Sequence, residues 1–223
     1  MRGVAVHRFV GLIPVFVLGL LGAACTTTTQ VDEQRILPVS VGSGQSVVVL
    51  GRRHNSEYET EPDFISCVSR NVGSRGVRVI PETEFMNAFY PWFEPRTAPM
   101  NMKRLGSLLK QPKFAGRMQE LDLQYIVWID GSTQTTDKKG AMSCAAGPGG
   151  AGCLGFGMWE KQSGYEASVW DVRNLDAVAR ISAKADGTSY MPAIIIPIPL
   201  IARVQAAACD GVSVQLEKLF VTQ

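Results

Sequence analysis

Two short runs constrain this chain more than any other feature: Ser46–Leu50 (SVVVL) and Tyr125–Asp130 (YIVWID) are apolar at nearly every consecutive position. Successive residues of a strand face opposite sides of a sheet, so a run that is apolar throughout is a strand covered on both faces. Such strands sit mid-sheet, and the remaining sequence has to supply the covering layers. Glu61, Pro62 and Asp63 open a helix carrying Phe64, Ile65, Cys67 and Val68 at helical spacing, closing near Gly73. Val77–Ile80 predicts a second short strand. Thr83–Tyr90 predicts a short helix stopped by Pro91. Pro99–Leu121 predicts further helix broken at Pro112, with Leu105, Leu108, Leu109, Phe114, Met118 and Leu121 inward.

The C-terminal third returns to strands. Tyr165–Asp171 and Ala177–Asp186 alternate in polarity and flank Arg173–Asp176, the pattern of an antiparallel hairpin. Ile201, Val204, Ala208, Val212, Leu216 and Leu219 then keep a helical stripe, weakened at Gly211 by about 1 kcal/mol. The order of elements predicts an α+β fold: a mixed β-sheet with helices packed on it, forming a single domain over residues 46–223.

The first residues read as an address. Arg2, His7 and Arg8 give a basic start, Phe9–Leu21 an apolar run, and Gly22, Ala23 and Ala24 a small-residue cleavage region, so residues 1–24 are expected to be a signal peptide. The run is about 13 residues long and contains Pro14, whereas a spanning helix needs roughly 20. Leu21-Gly22-Ala23-Ala24-Cys25 resembles the bacterial lipobox. The resemblance implies that Cys25 becomes a lipidated first residue, tethered to a membrane by several acyl chains without spanning it. Thr26 stands where Asp often marks inner-membrane retention, which points in a Gram-negative cell to the outer membrane and its periplasmic face. Residues 25–45, rich in Thr, Ser and Gly, read as the lipidated Cys and a tether, with Ile36–Val41 able to pair as an edge strand.

With Cys25 lipidated, Cys67, Cys144, Cys153 and Cys209 remain, an even number in an exported chain and the basis for two disulfides. Cys144 and Cys153 bracket AAGPGGAG, which favours turning the chain back, so they are paired, leaving Cys67 with Cys209. The first pair is expected to close a surface loop around Pro148.

Charge excludes one class of partner. Lys and Arg total 22 against 20 Asp and Glu, and without Arg2 and Arg8 the two signs balance, so the chain lacks the basic excess of a nucleic-acid binder. Histidine occurs only as His7 and His54, which leaves little material for a His-based metal site or a nucleophile–His pair. No cofactor, metal or catalytic set is therefore expected. His54, among Arg52, Arg53, Asn55, Glu57 and Glu59, reads first as a solvated loop residue. Asp130, Thr136, Asp137 and Lys138 match no cation-binding loop.

Two motif matches lack their context. Gly150-Ala151-Gly152-Cys153-Leu154-Gly155 fits GxGxxG but opens no helix, and Ser107-Leu108-Leu109-Lys110 fits SxxK without its companion motifs. The aromatic turns Tyr90-Pro91-Trp92-Phe93 and Phe156-Gly157-Met158-Trp159 either cover the core or anchor a partner, which makes Trp92, Phe93, Pro148, Phe156 and Trp159 the candidate contact residues. Met191–Ile201 (MPAIIIPIPLI) is apolar but short and rich in proline, a buried or membrane-skimming segment.

The element order, the lipobox, and the runs Ser46–Leu50, Leu121–Gly131 (LDLQYIVWIDG) and Ala167–Ala183 resemble periplasmic lipoproteins related to the penicillin-binding-protein activator and the curli-secretion lipoprotein. Met142–Trp159 (MSCAAGPGGAGCLGFGMW) resembles an uncharacterised proteobacterial lipoprotein family. The resemblance is one of topology. It implies a non-enzymatic binding or assembly module with an envelope protein partner, and it carries no functional residue over. The competing class is an envelope hydrolase working through Asp or Glu.

Overall fold

The computed structural model describes residues 27–42, 44–54 and 57–221, with the side chains of His54, Glu57 and Tyr58 outside the described set. Its strands are β1 (Thr27–Arg35), β2 (Ser46–Gly51), β3 (Arg53–His54), β4 (Glu57–Tyr58), β5 (Arg78–Ile80), β6 (Leu123–Gly147), β7 (Gly150–Asp171) and β8 (Asp176–Pro197). Its helices are α1 (Pro62–Ser74), α2 (Glu82–Ala88), α3 (Met102–Leu109), α4 (Pro112–Glu120) and α5 (Val204–Val221). This is the expected α+β arrangement: a mixed sheet of six strands in the order β1-β8-β7-β6-β2-β5, with a separate β3-β4 ladder. The chain divides into two compact units, one of residues 1–28, 135–161 and 186–203, the other of 29–134, 162–185 and 204–223.

The larger unit holds the helices. β2 is buried at every position and runs parallel to both neighbours, with Val48 opposite Ile80 of β5 and Ile126 of β6. This is what the all-apolar runs require. On one face Val48, Leu50, Ile126 and Trp128 join Phe85, Phe89, Phe93, Leu105, Leu108 and Phe114 from α2, α3, α4 and the turn between α2 and α3 in one core cluster. On the other, Tyr125 meets Phe220 of α5 with ring centroids 5.4 Å apart, and Tyr165 of β7 stacks on Phe64 of α1. Helix starts follow local chemistry. Pro62 occupies the first turn of α1, where its missing N–H costs nothing, and the Asn101 side chain caps α3 by accepting from the Arg104 amide at 2.9 Å. Gly211 in α5 has a packing reason: a Cβ there would lie 2.6 Å from Val31 Cγ2 of β1.

The β7–β8 turn is organised by Asp171, whose Oδ1 accepts from the amides of Arg173 and Asn174, each at 2.9 Å, and from Gln124 Nε2 at 3.0 Å. Asn174 Nδ2 donates to Oδ2 at 2.9 Å.

Several expectations change. The segment read as a tether contributes the strand β1, and the edge strand is Thr27–Arg35 rather than Ile36–Val41. Its threonines and Val31 have β-branched side chains suited to a half-covered edge. The expected loop between Cys144 and Cys153 is mostly strand, since only Pro148 and Gly149 separate β6 from β7. The strands read as Tyr125–Asp130, Tyr165–Asp171 and Ala177–Asp186 are the starts or ends of elements of 25, 22 and 22 residues. Ile201 is exposed and precedes α5 instead of belonging to its stripe.

The smaller unit is made of the distal parts of β6, β7 and β8. Gly140 and Gly155 take positive φ inside these strands, and a Cβ at either would collide with the facing backbone of Phe156 or Ala141. Both are positions where only glycine keeps the ladder closed.

Candidate functional site

Three places in the described residues combine chemistry with access. The first lies at the carboxyl end of β2, where parallel sheets gather ligand groups. Gly51 donates its amide to Glu82 Oε1 at 3.2 Å, and Arg53 pairs with the same carboxylate at 3.8 Å. Arg52 lies over Trp128, its guanidinium carbon 4.8 Å from the ring centroid, and 5.9 Å from that of Trp170. Its Nη1 also reaches Met100 Sδ at 3.3 Å. Burial lowers the pKa of this guanidinium, while Asp130 and Glu59 act in the opposite sense, so the charge is retained. Trp128 Nε1 is buried and has no hydrogen-bond partner among the described residues. The cavity beside it measures about 20 Å³, room for one water. This site stores a cation against two indoles and has no space for a larger ligand.

The second is a chain of hydroxyls. Glu61, the residue preceding α1, accepts from the Thr133 amide at 2.7 Å through Oε1 and from the Tyr165 hydroxyl at 2.9 Å through Oε2. Thr133 Oγ1 lies 2.8 Å from the Tyr165 hydroxyl and 2.7 Å from Ser163 Oγ. Since Tyr165 gives its one proton to Glu61, Thr133 donates to Tyr165 and Ser163 to Thr133. Burial foremost, and the neighbouring carboxylate, push the Tyr165 phenol well above its ordinary range. Ser163 borders an open polar groove of about 410 Å³ lined also by Gln134, Gln162 and Lys184. The groove can hydrogen-bond a polar group, and Glu61 has both oxygens engaged as acceptors.

The third is the smaller unit. Ile194, Ile195 and Ile196 are 79, 68 and 69% exposed, and Leu154 is 71% exposed. Ile198 and Ile201 are also exposed. Phe156 lies 6.0 Å from Tyr190, centroid to centroid.

The residues singled out from sequence fall as follows. Cys67 pairs with Cys209 and Cys144 with Cys153, as expected. Cys25 lies outside the described residues, as does the side chain of His54. Phe93 is 2% exposed in the aromatic core, so it offers no surface for a partner. Phe114 and Trp128 stack parallel to it at 6.2 and 6.0 Å. Trp92 is half-buried and donates to Gln111 Oε1 at 3.1 Å. Pro148 is exposed, Phe156 is 44% exposed and Trp159 is half-buried. Ser107 donates to the Lys103 carbonyl at 2.9 Å and, with Lys110, faces solvent. Asp137 pairs with Lys139 at 2.5 Å. Among the described residues no group of three His, Cys, Asp or Glu could hold a metal ion. The exposed isoleucines run counter to the buried reading of Met191–Ile201, and Arg52 with its two tryptophans was missed because residues 52, 128 and 170 meet only in three dimensions.

Fold and covalent bonds together define the class: a disulfide-stapled α+β protein. No family model matches the chain, and no curated protein matches it. Solved structures do resemble it. A PelC dodecamer from Paraburkholderia phytofirmans is 16% identical at a TM-score of 0.40, covering 88% of this chain and 100% of its own. A structure titled as a neuraminyllactose-binding hemagglutinin homologue from Helicobacter pylori is 12% identical at a TM-score of 0.37, covering 83% and 88%.

Proposed function

We propose that this chain is an envelope lipoprotein, held through Cys25 at the periplasmic face of the outer membrane, that works by contact with an envelope protein partner rather than by catalysis. The observation that carries this reading is the use of the cysteines. Two disulfides engage Cys67, Cys209, Cys144 and Cys153, and such bonds persist in oxidising compartments outside the cytoplasm. The remaining cysteine of the sequence is Cys25, directly after an apolar run and small residues. An exposed array of large apolar side chains in the smaller unit supports contact as the mode of action.

Metabolic labelling with a clickable palmitate tests the anchor: label is expected on the wild-type chain and absent from Cys25→Ala, and equal labelling of both removes the anchor. Crosslinking in cells followed by purification tests the mode of action. A stoichiometric envelope protein is expected, whereas turnover of peptidoglycan or lipid abolished by a single carboxylate substitution would replace this reading with a hydrolase.

A further inference from the structure

The smaller unit segregates its charge. Between Gly140 and Trp159, and again between Gly187 and Ala202, no residue is charged. Among the described residues its charged side chains, Asp137, Lys138, Lys139, Glu160, Lys161, Asp186 and Arg203, all stand at the ends of those two segments. The uncharged part presents Leu154, Ile194, Ile195, Ile196 and Ile198 outward.

Its backbone is also prepared for a dry environment. Beyond Tyr190 the chain doubles back on itself: Tyr190 and Leu200 exchange amide–carbonyl bonds of 2.8 and 2.7 Å, and Ile198 donates to the Pro192 carbonyl at 3.0 Å. Pro192, Pro197 and Pro199 carry no amide hydrogen to leave unpaired. Unpaired backbone groups are what exclude irregular chain from hydrocarbon, and here self-pairing and prolines reduce their number.

The described chain begins on β1, the strand next to β8, which carries this tip. Ile36 and Leu37, just after β1, donate to the Val178 carbonyl at 2.8 and 3.1 Å, near the start of β8. Thr27–Thr28 belong to the same compact unit as the uncharged tip. Cys25 is two residues further, within about 7 Å of chain. The apex at Ile195 lies five residues beyond Tyr190, roughly 16 Å at strand rise, and one leaflet of a bilayer has a hydrocarbon thickness of about 15 Å.

We propose that the tip formed by Leu154 and Ile194–Ile198 inserts into the leaflet that holds the Cys25 lipid, a second and direct membrane contact made by the protein itself. The inference rests on the anchored reading for its geometry, yet it requires the tip to bind lipid without the acyl chains. The test therefore uses the mature chain carrying Cys25→Ser, with phosphatidylethanolamine/phosphatidylglycerol vesicles and sedimentation. The unlipidated chain is expected to co-sediment, and Ile194→Asp with Ile196→Asp to lower its partition at least tenfold with an unchanged far-ultraviolet spectrum. Leu154→Asp, at an equally exposed position, provides an independent variant with the same expected direction. If the unlipidated chain stays in the supernatant, or the aspartates leave its partition unchanged, the insertion is overturned, while palmitate labelling of wild type still decides the anchor separately. Concentration-dependent self-association in ultracentrifugation, abolished by the same aspartates and without vesicle binding, would assign the tip to a second copy of this chain and also overturn it.

Discussion

Arg52 covers the Trp128 ring, its guanidinium carbon 4.8 Å from the centroid, at the point where β2 ends and parallel β6 continues. A cation drawn partly out of water against an indole face is worth about 1–2 kcal/mol, more than an exposed ion pair. The stacked guanidinium also shields the core beneath it through its aliphatic stem. Arg52→Ala is expected to lower stability by about 2 kcal/mol and Arg52→Lys by about 1, because an ammonium cannot stack as a plane. Urea titration followed by tryptophan emission measures both, and an Arg52→Lys variant as stable as the wild type would show that planar stacking contributes nothing.

The two disulfides should differ in weight. Cys67–Cys209 closes a separation of 142 residues inside the larger unit and Cys144–Cys153 one of 9 inside the smaller. Loop-closure entropy assigns about 5 kcal/mol to the first and about 2.6 to the second. Cys67→Ser with Cys209→Ser is expected to shift the main thermal transition strongly. Cys144→Ser with Cys153→Ser should leave that transition nearly in place and increase proteolysis between residues 140 and 159. Calorimetry with limited proteolysis reads both, and a larger shift from the second pair would reverse the assignment.

Much of this architecture is legible in the residues. The doubly covered runs at Ser46 and Tyr125 and the alternation at Tyr165 and Ala177 each encode their element locally, and the glycine-flanked cysteines encode their pairing but not the strands that carry them. What is not legible is held by neighbours. Residues 131–164 are rich in Gly, Ser, Thr and Lys with little alternation, and they are extended because three strands pair side by side, with Gly140 and Gly155 supplying backbone angles other residues resist. β1 is polar and lies at a sheet edge, so its pattern resembles a spacer. The aromatic turns look alike in sequence, yet Phe93 is core and Phe156 is surface, a distinction made by which side of the chain α2, α3 and α4 cover.

Tyr165 predicts an alkaline limb. Its phenol has a pKa raised above the ordinary 10.0, so the native state holds the proton while the unfolded chain releases it near pH 10. Stability from this group is fully present below about pH 10 and is lost as the pH rises from there towards the raised native value. Tyr125, shifted in the same direction by burial, adds to the slope. Tyr165→Phe is expected to cost about 1–2 kcal/mol at pH 7, because Glu61 and Thr133 lose a partner, and to flatten the loss above pH 10 without abolishing it. Denaturation at pH 7, 10 and 11 checks this, and a variant with an unchanged alkaline slope would detach the slope from Tyr165.

Asp171 makes the most exacting demand on a single side chain. It is buried at 4% exposure at the end of β7, and its carboxylate accepts four hydrogen bonds: the Arg173 and Asn174 amides, Gln124 Nε2 and Asn174 Nδ2. Two of these close the turn into β8 and one reaches across to β6, so a single group sets the turn and ties the hairpin to its neighbour. Bonds to a charged acceptor contribute roughly 1.5–3 kcal/mol each in isolation, and donors left buried without a partner add a desolvation cost. Asp171→Asn keeps the shape but supplies one carbonyl oxygen where two oxygens accepted, and it turns an NH₂ towards existing donors; a loss of about 2 kcal/mol is expected. Asp171→Ala orphans every donor and should cost about 3–4 kcal/mol. Hydrogen exchange distinguishes a turn defect from general loosening: the amides of Arg173 and Asn174 should lose protection first, ahead of those in β2. Uniform loss across the sheet would mean that Asp171 acts only through overall packing and not as the organiser of the turn.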